Sequence, residues 1–311
     1  MTAALEVRGI TKMFGDFKAV QNVNFQVEHG QIMGFIGPNG AGKTTTMRIC
    51  ATLELPDAGD VFINGVSSLT NPREVRQLVG FMPDSYGAYS NTTILEYLDF
   101  FARAYGLKGS RRSETIAQVM EFTSLQSMHA KEISSLSKGM KQRLCLAKTL
   151  LHDPSVLILD EPAAGLDPRA RIELREVVKA LAQTGKSILI SSHILTELSE
   201  MCDSVAVIEK GILRATGSVQ GVLQSIQSFM QIFVRTVEPR DMTERTLREL
   251  PNIDNIRHDG AGLVFEYSGT EEQLSQVLEI LVSRGCKPVE FGQRSQNLED
   301  LFLAMTEGKL Q

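Results

Sequence analysis

The sequence lacks the features that would place it in a bilayer, on a secretory route or along a nucleic acid. No apolar run approaches the ~18–20 residues that a membrane-spanning helix needs. The opening MTAALEVRGITKMFG has no basic stretch followed by an apolar core, so no signal peptide is expected. Basic residues are not in excess: 32 Lys and Arg stand against 37 Asp and Glu, for a net charge of -5. A duplex-binding protein shows the opposite balance. The four cysteines, Cys50, Cys145, Cys202 and Cys286, are far apart in sequence, which excludes a zinc-type or redox pair and fits a reducing compartment. Internal repeats and low-complexity stretches are also missing. These absences lead to the expectation of a cytoplasmic chain without a nucleic-acid partner, whose membrane role, if it has one, comes through another protein.

What is present is ordinary globular material. The 311 residues are 42% apolar and 22% charged, enough for about two domains. Charge divides them. From Gly221 onward there are nine basic and fourteen acidic residues, so the whole imbalance lies in the tail and the first 220 residues are neutral. The element pattern changes at the same place. Before it, short apolar runs (IMGFI, SVLILDE, KSILISS, SVAVIE) alternate with helical stretches, which predicts a mostly parallel, buried sheet of α/β class. Leu5–Val7 and Val23–Val27 read as short strands, and the section from Ser67 to Ser135 reads as mostly helical. After it, QIFVRTV, DMTERTLREL, IDNIRHDG, LVFEY, EEQLSQVLEILVSRG and KPVEF read as β-α-β-β-α-β, followed by a helix, NLEDLFLAMTE. The expected domains are 1–217 and 218–311, the second a small α+β unit of ferredoxin-like order.

Gly37-Pro38-Asn39-Gly40-Ala41-Gly42-Lys43-Thr44 has the form G-x-x-x-x-G-K-[ST] between an apolar strand and a helix. Glycines let successive backbone N–H groups turn toward one small anion-binding concavity, and the helix adds its positive end. Lys43 is placed to reach outer phosphates, the Thr44 hydroxyl to ligate a phosphate-bound Mg²⁺, and Thr45 beside it to bind the nucleotide. A carboxylate partner is then needed at the end of another buried strand. Val156-Leu157-Ile158-Leu159-Asp160-Glu161 supplies it, with Asp160 as a metal-holding group and Glu161 as the base for an attacking water.

Between the two motifs lies Leu136-Ser137-Lys138-Gly139-Met140-Lys141-Gln142-Arg143. This resembles the L-S-x-G-x-x-Q-R signature of ABC-type ATP-binding subunits. Gly165-Leu166-Asp167-Pro168 resembles the D-loop of that family, and Ser191-Ser192-His193 its switch segment. The resemblance covers about Leu5 to Gly217. It implies a P-loop NTPase core of RecA-like mixed sheet, with an antiparallel β subdomain and a helical subdomain at about 84–150. It also implies ATP and Mg²⁺ as ligands. Two subunits, here a homodimer, are expected to sandwich two nucleotides, so that Ser137 and Gly139 face the other copy's phosphate loop. Glu161, His193 and Lys43 become the catalytic set, and Phe14 the aromatic that stacks on adenine. The tail resembles that of exporter subunits of the drug-resistance and sodium-export kind, with NLEDLFLAMTEG as its specific part.

The resemblance further implies a separate transmembrane permease and a peripheral location on the inner face of the membrane. An importer subunit and a soluble regulatory ATPase are the alternatives. The chain departs from the family pattern at Asp84, where a metal-touching Gln is usual, and at Met140 within the signature. Tyr86, Tyr89 and Tyr97, next to Asp84, are expected to form the groove that receives the permease.

Overall fold

β3 (Ile32–Ile36) and β7 (Val156–Leu159) are apolar and buried at every position, and β8 (Ser187–Ser192) is buried throughout although serines stand at its ends. Strands covered on both faces have no polar side to alternate with, which is the pattern of a parallel sheet between helices. In the computed structural model the described residues are 3–84, 87, 91–192, 198, 200–226, 230–237 and 240–294. They fall into two compact units, Met1–Val219 and Gln220–Gln311.

The first unit holds two sheets. One is antiparallel, formed by β1 (Leu5–Phe14), β2 (Phe17–Val27), β4 (Ala58–Ile63) and β5 (Val66–Ser67) in the order β2-β1-β4-β5. Its first hairpin is much longer than the sequence pattern predicts. The register shifts between Val7 and Ile10 and between Ile10 and Lys12. Such bulges break the in/out alternation by which a strand is recognised.

The second sheet is the buried one. It adds β6 (Val79–Met82), β9 (Ser204–Glu209) and β10 (Ile212–Ser218) in the order β10-β9-β3-β8-β7-β6. All its pairings are parallel except that of β10 with β9. Because β8 lies between β3 and β7, the carboxyl ends of all three open at one edge, where open α/β sheets bind ligands.

The stretch expected to be mostly helical contains α2 (Pro72–Leu78), α3 (Ile94–Ala104) and α4 (Gly109–Phe122), but β6 interrupts it. VGFM is too short to show a period and acquires its strand character by pairing with β7. Thr93 and Glu96 form a reciprocal capping box that starts α3. α5 (Lys138–Leu150) and α6 (Pro168–Gln183) follow, the latter beginning with Pro at its first position and Asp167 as its cap.

α7 (Val219–Ile226) precedes the sheet of the second unit. That sheet contains β11 (Met230–Thr236), β12 (Ile253–Asp259), β13 (Gly262–Tyr267) and β14 (Pro288–Gln293), all antiparallel, in the order β12-β13-β11-β14. α8 (Arg240–Arg248) and α9 (Glu271–Ser283) complete the β-α-β-β-α-β order. Ile232, Val234, Leu263, Phe265 and Leu281 form a core of its own. NLEDLFLAMTEG lies outside the described residues. Among the described residues no helix is long and apolar enough to cross a membrane.

Candidate functional site

Beyond β3 the chain turns through Gly37 to Gly42 and enters α1 (Lys43–Cys50). Glycine is required at both ends of this turn. Gly42 has φ 103°, and a Cβ there would lie 2.5 Å from the Ala19 carbonyl oxygen. A Cβ on Gly37 would strike the carbonyl oxygen of Ile208. The turn is therefore pressed against β2 and β9, and the Gly211 N–H donates to Ala41 O at 2.9 Å.

Lys43 is 7% exposed, and its ammonium donates to the carbonyl oxygens of Gly37 at 2.7 Å and Pro38 at 3.3 Å. Glu161 Oε1 stands 3.5 Å from the same nitrogen. A buried cation needs such acceptors, since losing water without replacement is prohibitive. The surrounding cavity is about 530 Å³ and is lined by Pro38, Asn39, Gly40, Gly42, Lys43, Thr44, Thr45, Asp84 and Glu161, all expected from the sequence except for their convergence. Gly37 and Ala41 belong to the same turn but not to the lining.

Asp160 is 1% exposed and follows directly on β7, its N–H held by Met82 O at 2.8 Å. Ser191 at the end of β8 donates its hydroxyl to Asp160 Oδ1 at 2.7 Å. The same hydroxyl oxygen accepts the Glu161 N–H at 2.8 Å. Glu161 has φ 49°, in the left-handed region that few non-glycine residues occupy. Asp160 Oδ2 has no hydrogen-bond partner. Burial pushes the Asp160 carboxyl above the usual aspartate range. The Ser191 hydroxyl and the nearby Thr44 hydroxyl oppose that shift, and the charges of Asp84 and Glu161 add to it.

The structure places Phe14 and Tyr97 otherwise than expected. Phe17, not Phe14, lines the cavity. The two face each other across the β1–β2 turn, and the Phe14 ring centroid is 5.3 Å from Lys12 Nζ. Tyr97 is 2% exposed and packs edge-on against Phe101 with ring centroids 4.9 Å apart, so it offers nothing to a partner. Tyr86, Tyr89 and His193 lie outside the described residues. Ser137 and Gly139 are not in the cavity lining. Ser137 caps α5, accepting the Met140 N–H at 3.3 Å. Asp167 likewise caps α6, accepting from Ala170 at 2.9 Å.

The sequence reading quoted Ser191 and Lys138 within motifs but gave neither a role of its own at the site, and it passed over Phe17. Lys138 lines the cavity, and its side chain runs over Gly165, where a Cβ would collide with it. For Ser191 there was a signal: a polar residue in an otherwise apolar strand, level with the acidic end of the neighbouring strand.

Comparison with known proteins agrees with this geometry. Residues 20–164 match the ABC transporter family model. The chain is 34% identical over 310 residues to the Nod factor export ATP-binding protein I of Burkholderia lata, covering 99% of both chains. It is 36% identical over 214 residues to the probable multidrug ABC transporter ATP-binding protein YbhF of Escherichia coli K12, covering 69% of this chain and 37% of the relative. A solved structure of an ATP-binding subunit of an ABC transporter superposes with a TM-score of 0.65 at 30% identity, over 72% of this chain and 93% of that one. A phosphate-type loop, an acidic strand end facing it and a likeness running the length of the chain lead to one assignment: the chain belongs to the ABC transporter family, as one of its ATP-hydrolysing subunits.

Proposed function

We propose that this subunit hydrolyses Mg²⁺-bound ATP in the cavity around Lys43 and thereby drives export through a separate transmembrane permease. The observation that carries the reading is the meeting of a buried lysine, the Thr44 hydroxyl and two successive carboxylates at the joint ends of β3, β7 and β8. The export direction is supported by likeness across 99% of an export ATP-binding protein, the C-terminal unit included.

The residues fit Mg²⁺. Asp160 Oδ2 is buried without a partner beside the Thr44 hydroxyl, and Asp84 lines the cavity. No cluster of three His, Cys, Asp or Glu forms a protein-only metal cage among the described residues. Two or three oxygens completed by phosphates and water are what this ion prefers. Thr44, Asp160 and Asp84 would hold it, and bound there it neutralises charge developing on the transferred phosphoryl group.

The chain's own groups do the rest. The N–H groups of the loop and the start of α1 bind the phosphates. Lys43 moves from the Glu161 carboxylate to the outer phosphates, which frees Glu161 to accept a proton from the attacking water. Phe17, with Phe14 across the turn, provides an aromatic corner for the base. Ser137 and Gly139 lie outside the lining of the Lys43 cavity, as they must if they close on the nucleotide of a second copy. The subunit then works as a homodimer held peripherally at the membrane by its permease. Exposed apolar residues Leu95 and Phe100 on α3, and Tyr105 just after it, provide the surface for that permease.

Glu161→Gln tests the reading. It is expected to bind ATP, form a stable dimer by analytical ultracentrifugation, and release phosphate at least about a hundredfold more slowly. Parental turnover would remove Glu161 as the base.

A further inference from the structure

Of the three strands whose ends meet at the site, β3 leads into the phosphate loop and β7 into Asp160 and Glu161, both used by the proposed reaction. Within the described residues, β8 contributes Ser191, and nothing so far assigns it a role. Its side chain is wholly buried and does not line the cavity, so it does not touch substrate. Its hydroxyl is nevertheless engaged twice, with the two residues on which hydrolysis depends. It donates to Asp160 Oδ1 at 2.7 Å and accepts the backbone N–H of Glu161 at 2.8 Å.

We infer that Ser191 is a positioning residue that orients Asp160 and Glu161 together, an inference that rests on the hydrolytic reading above. The argument is one of degrees of freedom. A carboxylate bound through Oδ1 to a fixed hydroxyl loses rotation about its Cβ–Cγ bond, so Oδ2 keeps one direction. Oδ2 is the oxygen without a hydrogen-bond partner and therefore the one available to a cation. The second bond acts on the main chain. Glu161 holds φ 49°, a conformation that costs about 1–3 kcal/mol in general and persists only where the surroundings fix it. The Ser191 oxygen anchors the N–H of this strained residue and so sets the direction in which its side chain leaves β7.

The hydroxyl is unusually well suited to the task. It has one donor and two lone pairs, and here the proton goes to the group that carries charge while a lone pair receives the amide. The register supports it too. Leu159 pairs with Ile190, so the next residues on the two parallel strands are Asp160 and Ser191. β8 in turn is locked to β3 with Phe35 opposite Ser191, one residue before the strand's end at the phosphate loop. One side chain thus ties the orientation of both acids to the strand that carries the phosphate loop.

The test compares Ser191→Ala and Ser191→Gly with Ser191→Thr, which restores a hydroxyl, and with Glu161→Gln as the reference. Turnover is read as kcat and KM for ATP, and metal engagement by electron paramagnetic resonance titration of Mn²⁺ into the ATP complex. Removing a group that orients a metal ligand typically costs 10–100-fold. Ser191→Ala and Ser191→Gly are accordingly expected to lower kcat by about tenfold or more and to weaken Mn²⁺ binding about tenfold. KM for ATP is expected to stay within about threefold, because phosphate contacts are untouched. Ser191→Thr is expected to recover most of both losses.

Parental kcat and parental Mn²⁺ binding in Ser191→Ala would overturn the inference. So would a loss that Ser191→Thr fails to relieve while melting at the parental temperature, since packing and not the hydroxyl would then be at fault. If Glu161→Gln itself turns over at the parental rate, it is the assignment of the base that fails. If Glu161→Gln is inactive and Ser191→Ala is normal, only the positioning role fails.

Discussion

Asp160 is held in the folded protein against its own electrostatics. Burial raises its pKa, so over the interval from the ordinary aspartate value up to the raised one the native state binds more protons than the unfolded chain. Stability therefore falls as pH rises through that interval, and at neutral pH the ionised carboxylate is a net cost. Asp160→Asn is expected to stabilise the protein by about 1 kcal/mol at neutral pH, roughly 2–4 °C in Tm for a unit of this size, while abolishing Mg²⁺-dependent hydrolysis. Thermal melts of parent and variant at pH 5 and pH 8 check it. The gain should be smaller at the lower pH, and a variant less stable than the parent at pH 8 would contradict the argument. The buried thiols carry no such conflict. Burial pushes the thiols of Cys50 to about 12 and Cys145 to about 11, which makes them inert packing groups. That accords with the scattered, unpaired cysteines of the sequence.

At the scale of elements, the end of α3 is tied to the buried sheet by one aromatic stack. Tyr105 lies against His152 with ring centroids 4.3 Å apart and planes inclined by 21°. His152 Nε2 is 2.9 Å from Val79 O, the first residue of β6. A carbonyl oxygen only accepts, so the proton of this bond sits on Nε2. Burial is the largest influence lowering the His152 pKa, the Val79 carbonyl opposes it, and Lys186 and Asp153 act in opposite directions. For a group whose folded pKa is depressed, stability is fully present above the unfolded value of about 6.5 and is lost as pH falls below it. His152→Gln, which keeps an N–H for Val79 O, is expected to flatten that acid loss and to cost about 1 kcal/mol at pH 7.5 through the lost stack. Urea titrations at pH 7.5 and 5.5 measure both. An unchanged difference between the two pH values would show that other groups control it.

The caps at this scale also explain why motif residues serve two roles. Ser137 and Asp167 each accept a backbone N–H three residues ahead, so each is a helix start in its own right. Arg143 pairs with Glu173, joining α5 to α6. A signature carried at a capped helix start is held rigidly, which suits a contact made to a second copy.

At the scale of the whole molecule, the two units have separate cores. Residues 1–219 contain both sheets of the first unit and the entire Lys43 cavity, while Ile232, Phe265 and Leu281 belong to the other core. A fragment ending at Val219 is expected to fold cooperatively and to bind ATP within about threefold of the full chain, since no described cavity residue is removed. Calorimetry and a fluorescent nucleotide titration test this. Failure to bind would mean that the second unit supports the site.

The phosphate loop, the Asp160–Glu161 strand end, the signature and the alternation of apolar strands with helices were all legible in the residues themselves. Each of them depends on local chemistry: glycines for a tight turn, consecutive apolar positions for a strand buried on both sides, a serine for a cap. The order of the C-terminal elements was legible for the same reason, through their periods of 2 and 3.6. Other features depended on contacts distant in sequence and were not visible there. The bulged β1–β2 hairpin hides its alternation, β6 is a strand only because β7 pairs with it, and the burial of Tyr97 is decided by the packing of α3. Which aromatic lines the cavity depends on the side from which a hairpin turn approaches it. That Ser191 bridges Asp160 and Glu161 follows from the register of β7 against β8, a relation between residues 30 and 31 positions apart. The sequence by itself determined which groups could bind a triphosphate. Only the tertiary structure decided which of them meet, because parallel pairing brings together strand ends that the chain keeps far apart.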